Sequence, residues 1–129
     1  MAKIVVVSSS YVQLQILERC FKEVGHSVTC FASAVELESK IATESPDLVL
    51  MDVFFSGGNG FQTCVELRKN ARFKKLPIIL CGDPGREDDR VWAKARGASE
   101  YLVKPLEASK LLASIKSHLL SSQELAQTK

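Results

Sequence analysis

Short, mostly apolar runs alternate five times with longer segments whose apolar residues recur at helical spacing, and few folds accommodate that pattern. The short runs are Ile4 to Val7, Ser27 to Phe31, Leu48 to Met51, Ile78 to Cys81 and Glu100 to Val103. Strands that are apolar throughout, without polar alternation, are buried on both faces. The longer segments, about 12–24, 34–44, 60–69, 87–96 and 107–120, read as helices. The first is the clearest: Val12, Leu14, Leu17, Cys20, Phe21 and Val24 recur near a helical period, and Gly25 ends the run. Ser10 with Gln13 three residues on makes a capping box for its start. Strand and helix in regular alternation, joined by right-handed crossovers, predict an α/β domain with a parallel sheet and helices on both faces.

Such a domain is a flavodoxin-like (βα)5 unit, and 129 residues suffice for one. Residues 1–120 are assigned to it, and the polar residues 121–129 to a C-terminal tail or linker stub. The apolar runs are far shorter than the roughly 20 residues a membrane span needs, and Met1-Ala2-Lys3 leads into a strand without a signal-peptide pattern. Cys20, Cys30, Cys64 and Cys81 are widely spaced and lie in apolar segments, as reduced core residues of a cytoplasmic protein do. The densest basic cluster, Arg68, Lys69, Arg72, Lys74 and Lys75, sits at a helix end where cations meet the macrodipole. It reads as solvated surface and not as a nucleic-acid footprint. His26 and His118 have no neighbours in sequence that suggest catalysis.

In doubly wound sheets, ligands sit at the carboxyl ends of the strands where strand order reverses. That rule gathers Ser8, Ser9, Asp52, Gly82, Asp83 and Lys104 around one crevice. Phe54 and Phe55 follow Asp52 and either cover the crevice or pack beneath it.

The sequence resembles a response-regulator receiver domain. The resemblance rests on Pro46-Asp47-Leu48-Val49-Leu50-Met51-Asp52, on Gly57 and Gly60, on Pro77-Ile78-Ile79-Leu80, and on Gly97-Ala98-Ser99-Glu100-Tyr101-Leu102-Val103-Lys104-Pro105. Asn59-Gly60-Phe61-Gln62 and Asp89 to Lys94 are most similar to stand-alone receivers of type IV pilus twitching and phototaxis signalling. The resemblance implies that Asp52 is the phosphoacceptor for a histidine kinase and that Lys104 contacts the phosphoryl oxygens. Tyr101 becomes the switch aromatic. The implied cofactor is Mg²⁺, needed only where the site is active, and its near-octahedral oxygen shell normally draws on carboxylates.

Four positions depart from the family pattern. Ser8 and Ser9 stand where it has an acidic pair, Gly82 where it has a hydroxyl, and Ser56 where a proline is common. The expectation is therefore a degenerate phosphorylation site in a cytoplasmic, non-enzymatic module. It would act by protein–protein contact in a bacterial signalling or motility pathway, without nucleic acid or membrane. Trp92, with Tyr101 and Leu106, is the expected partner surface. Two alternatives stay open. One is an active phosphoacceptor, with an ion held by Asp52, the Phe54 carbonyl, water and Asp83. The other is an anion or nucleotide binder using Ser8, Ser9 and Ser10 at a helix amino end.

Overall fold

All five apolar runs form strands in the computed structural model, which describes residues 2–127 and, for side chains, residues 2–121. They are β1 (Lys3–Val7), β2 (Ser27–Phe31), β3 (Leu48–Asp52), β6 (Ile78–Gly82) and β7 (Glu100–Val103), with a small antiparallel hairpin, β4 (Phe54–Phe55) and β5 (Gly58–Asn59), after β3. The helices are α1 (Tyr11–Glu23), α2 (Leu37–Glu44), α3 (Gly60–Lys69), α4 (Glu87–Ala95) and α5 (Ala108–Gln127), with a 3₁₀ turn at Ala71–Phe73. The large sheet is parallel, in the order β2-β1-β3-β6-β7.

Alternation along each strand divides the core in two. Val5, Val7, Val49, Met51, Ile78 and Leu80 face Leu37 and Ile41 of α2, Cys64 and Leu67 of α3, and Ala93 of α4. Ile4, Val6, Leu48, Leu50, Ile79 and Cys81 face Leu17 and Phe21 of α1, and Leu111, Ile115 and Leu119 of α5. Each fully buried Leu, Ile or Phe contributes about 1.5–3 kcal/mol, so both faces of the central strands are committed. The order reverses between β1 and β3, and the loops after these strands form the crevice.

Two element boundaries differ from expectation by several residues. Helix α2 begins at Leu37 and not near Ala34, because Ser33 bridges Ser56 and the Ala34 amide donates to the Ser56 carbonyl at 2.8 Å. That backbone is held by the β3–α3 loop and cannot also wind into helix. The polar segment from Ser121 continues α5 as backbone helix to Gln127. Residues 128–129 of the expected tail lie outside the described residues. Helix α3 starts hard against the end of β3, where a Cβ on Gly60 would lie 2.7 Å from the Asp52 carbonyl oxygen and 2.9 Å from Leu80. Only glycine permits that approach.

Candidate functional site

Asp52 closes β3 and is 5% exposed. Its neighbour β6 holds it by the Asp52–Cys81 register, and the Val53 amide donates to the Cys81 carbonyl at 2.8 Å. Lys104 leaves β7 with its own amide on the Gly82 carbonyl (2.8 Å), and the Lys104–Pro105 peptide is cis. Its ammonium reaches the Asp52 Oδ1 at 3.0 Å. The carboxylate and ammonium are thus paired as their strand-end positions imply.

The side of Asp52 facing α1 is occupied by a residue that sequence reading assigned elsewhere. Gln13 donates its side-chain amide to Asp52 Oδ1 at 2.9 Å and to Ser8 Oγ at 3.1 Å. Only half of the expected capping box therefore forms. Ser10 Oγ accepts from the Gln13 amide N–H at 3.2 Å, while the Ser10 N–H goes to Ser8 Oγ at 3.1 Å. Ser8 is fully buried. Ser9 donates to the Ala32 carbonyl at 3.1 Å and accepts from the Ser56 amide, tying three loops together. Each of the three serine hydroxyls is already committed to the fold, which leaves little for an anion.

A divalent ion fits this arrangement poorly. Ser8 and Ser9 are neutral, and Gln13 presents N–H donors where a cation needs oxygen donors. Asp83 is exposed at the start of the turn closed by Gly85, whose φ is +85°. Among the described residues, no three His, Cys, Asp or Glu side chains converge as a metal site would require.

On the other flank, Tyr101 is buried at 4% exposure with its phenol oxygen against Gly82. A Cβ at residue 82 would lie 2.0 Å from that oxygen and 2.9 Å from Cζ. Burial pushes the phenol pKa up, reinforced by Asp89. A cleft of about 40 Å³ lies beside Gly82 and Lys104, bounded also by Phe54 and Asp83. That volume is far below the 300–1,000 Å³ typical of small-molecule sites. Arg86 lies at this cleft, paired to the buried Asp89 and stacked over the Phe54 ring at 5.0 Å. The two phenylalanines divide the roles foreseen for them: Phe54 is exposed at the rim and Phe55 is buried.

The three expected partner residues are not brought together. Tyr101 points into the core on the α2–α4 side of the sheet, and Leu106 packs against the α1–α5 cluster on the opposite side. Trp92 is 52% exposed, but its ring leans on Phe61 of α3 (6.3 Å, tilted) and under the Arg96 guanidinium (4.1 Å). Within the basic cluster, Arg68 is not solvated surface. Its guanidinium donates to the carbonyls of Phe73 (2.6 Å), Leu76 (2.7 Å) and Gly97 (2.9 Å). Arg72 likewise turns back onto Ser45 Oγ and the Ala42 carbonyl, at the C-terminal end of α2.

A family model for the response regulator receiver domain matches residues 4–116. The chain is 35% identical over 115 residues to Protein PilH of Pseudomonas aeruginosa, covering 89% of this chain and 95% of that protein. It is 29% identical over 119 residues to Protein PilG of the same organism, covering 92% and 88%. Among solved structures, a response regulator receiver domain protein from Clostridium thermocellum superposes with a TM-score of 0.88 at 25% identity, over 97% of this chain and 99% of that one. The flavodoxin-like sheet, the strand-end pair and a family match over nearly the whole chain agree, and the chain belongs to the response regulator receiver family.

Proposed function

We propose that this receiver is a protein–protein signalling module whose output does not require phosphorylation of Asp52. One observation carries the reading: Asp52 Oδ1 already accepts from both Lys104 and Gln13. Phosphoryl transfer draws its acceleration from positioning and from neutralising charge, chiefly through the metal ion. Here the Gln13 amide already occupies Asp52 Oδ1, and Ser8 and Ser9 stand where the family pattern has an acidic pair. Asp52 and Lys104 then serve as a partly buried pair that specifies the geometry of the crevice. The module has no turnover of its own and acts in the cytoplasm on a protein partner. The likeness to PilH and PilG supports a setting in bacterial pilus signalling.

The contrasting reading, an active phosphoacceptor, draws support from the retained 3.0 Å Lys104–Asp52 contact. Incubation with acetyl phosphate and Mg²⁺ followed by intact-mass spectrometry separates the two, together with NMR titration by Mg²⁺ and beryllofluoride. The proposed function predicts no phosphoryl adduct and no shifts around Asp52 and Lys104. An adduct that Asp52→Ala abolishes would establish the contrasting reading.

A further inference from the structure

Gly82 and Tyr101 are mutually dependent in shape. With a Cβ at residue 82 placed 2.0 Å from the phenol oxygen, 2.9 Å from Cζ and 3.3 Å from Val53 Cγ2, a side chain there and the inward ring cannot coexist. The ring reaches this place along its strand. Gly82 is in register with Val103, two residues beyond Tyr101, so the side chain leans toward the carboxyl end of β7 to cover the glycine. From above, Arg90 of α4 holds it, with its guanidinium 5.6 Å from the ring centroid and an N–H on the Tyr101 carbonyl at 3.2 Å. The phenol oxygen has no hydrogen-bond partner among the described residues. Shape fit to the bare backbone of Gly82 and the Arg90 guanidinium over the ring, and not a hydrogen bond from the phenol, retain it.

We propose that Gly82 locks Tyr101 inside the domain, so that the seam between α4 and β7 has one fixed arrangement whatever the state of Asp52. The inference rests on the proposed phosphorylation-independent output and supplies its physical basis. A ring that moved outward would join Val91 and Val103 on the surface. With it locked in, any partner on that side meets a face from which Tyr101 is absent. A side chain at 82 would exclude the inward ring, and the bare glycine backbone is what admits it.

The two tyrosines make the test direct, because Tyr11 is 72% exposed and serves as an internal reference. In protein labelled with 3-fluorotyrosine, ¹⁹F NMR should show a solvent-exposed Tyr11 line and a solvent-shielded Tyr101 signal, assigned by its loss in Tyr101→Phe. Mg²⁺ with beryllofluoride should leave the Tyr101 line in place. Gly82→Ser should move it to the solvent-exposed region. A wild-type Tyr101 line that is solvent-accessible, or that moves to the solvent-exposed region on adding Mg²⁺ with beryllofluoride, would overturn the lock. Should Gly82→Ser fail to fold, Gly82→Ser in a Tyr101→Ala background decides: recovered folding supports the steric lock, and equal damage overturns it. A phosphoryl adduct on Asp52 with an unmoved Tyr101 line counts against the proposed function and in favour of the lock. An exposed Tyr101 in protein that forms no adduct counts against the lock alone.

Discussion

Gln13 donates to Asp52 across 2.9 Å, joining the first turn of α1 to the carboxylate at the end of β3. Because the same amide also reaches the buried Ser8 hydroxyl at 3.1 Å, it satisfies two acceptors at once. Truncation to alanine strips a charge-assisted bond from a carboxylate that is almost fully buried. Gln13→Ala should lower stability by about 1–3 kcal/mol, measured by urea denaturation. A change within error would mean that Lys104 alone satisfies Asp52.

Returning carboxylates to the loop after β1 should supply the anionic oxygen donors that Ser8 and Ser9 lack. Ser8 is fully buried next to Asp52, so Ser8→Asp combined with Ser9→Asp crowds like charges and should destabilise the metal-free protein. Mg²⁺ should then restore stability by about 1.4 kcal/mol at tenfold excess over its Kd. Thermal melts with and without Mg²⁺ read this directly, and the wild-type melting temperature should not respond. No gain in the double variant would place the loop after β1 away from the crevice.

The phenol of Tyr101, without a hydrogen-bond partner among the described residues, makes an unusual substitution favourable. A buried hydroxyl without a partner costs about 1–3 kcal/mol, whereas the ring itself fills the space over Gly82. Tyr101→Phe should therefore be neutral or stabilising by up to about 1 kcal/mol, by chemical denaturation. A loss larger than that would show the hydroxyl to be bonded in solution.

Arg68 carries more of the fold than its place in a basic cluster suggested. It satisfies the carbonyls of Phe73, Leu76 and Gly97, and burial pushes its guanidinium pKa down. Arg68→Ala should cost about 2–4 kcal/mol. Arg68→Lys should recover little, because one ammonium cannot span three carbonyls on two loops. Lys69, which makes only an exposed pair with Glu66, should tolerate alanine at under about 0.5 kcal/mol.

The contrast between Arg68 and Lys69 shows where sequence reading stops. The strands were legible because continuous apolarity follows from burial on both faces, and the Asp52–Lys104 pair because both residues stand at strand ends. Arg68 and Lys69 are adjacent in sequence and alike in charge; only helix rotation and the path of the loops before β6 and β7 separate them. Gln13 was hidden for a similar reason, since its spacing from Ser10 satisfied a capping rule while its side chain had a better acceptor in Asp52. Tyr101 and Leu106 are five residues apart, yet the sheet lies between them. Position along β7 was readable, but the face reached after Pro105 was not. The notch at Gly82 could have been suspected from a glycine at the end of a wholly buried strand, though not which side chain fills it.

His26 gives the fold a pH dependence whose sign follows from one hydrogen bond. Its Nδ1 accepts the Ala2 amide at 3.1 Å, and the Ala2 carbonyl in turn accepts the Ser27 amide at 2.9 Å, pinning the amino-terminal segment beside β2. An accepting Nδ1 carries no proton. Burial pushes the His26 pKa below its ordinary value of 6.5, with Asp47 acting in the opposite sense. The unfolded chain therefore binds the proton at higher pH than the folded one. Stability contributed by neutral His26 is present above about pH 6.5 and is lost as pH falls through the folded pKa. His26→Asn keeps an acceptor for the Ala2 amide and does not titrate. Between about pH 7.5 and about pH 5.5, the wild-type melting temperature should fall more steeply than that of His26→Asn. Taking the difference between the two proteins isolates His26 together with its coupling to Asp47. Parallel curves would mean that the Ala2–His26 bond does not persist in solution.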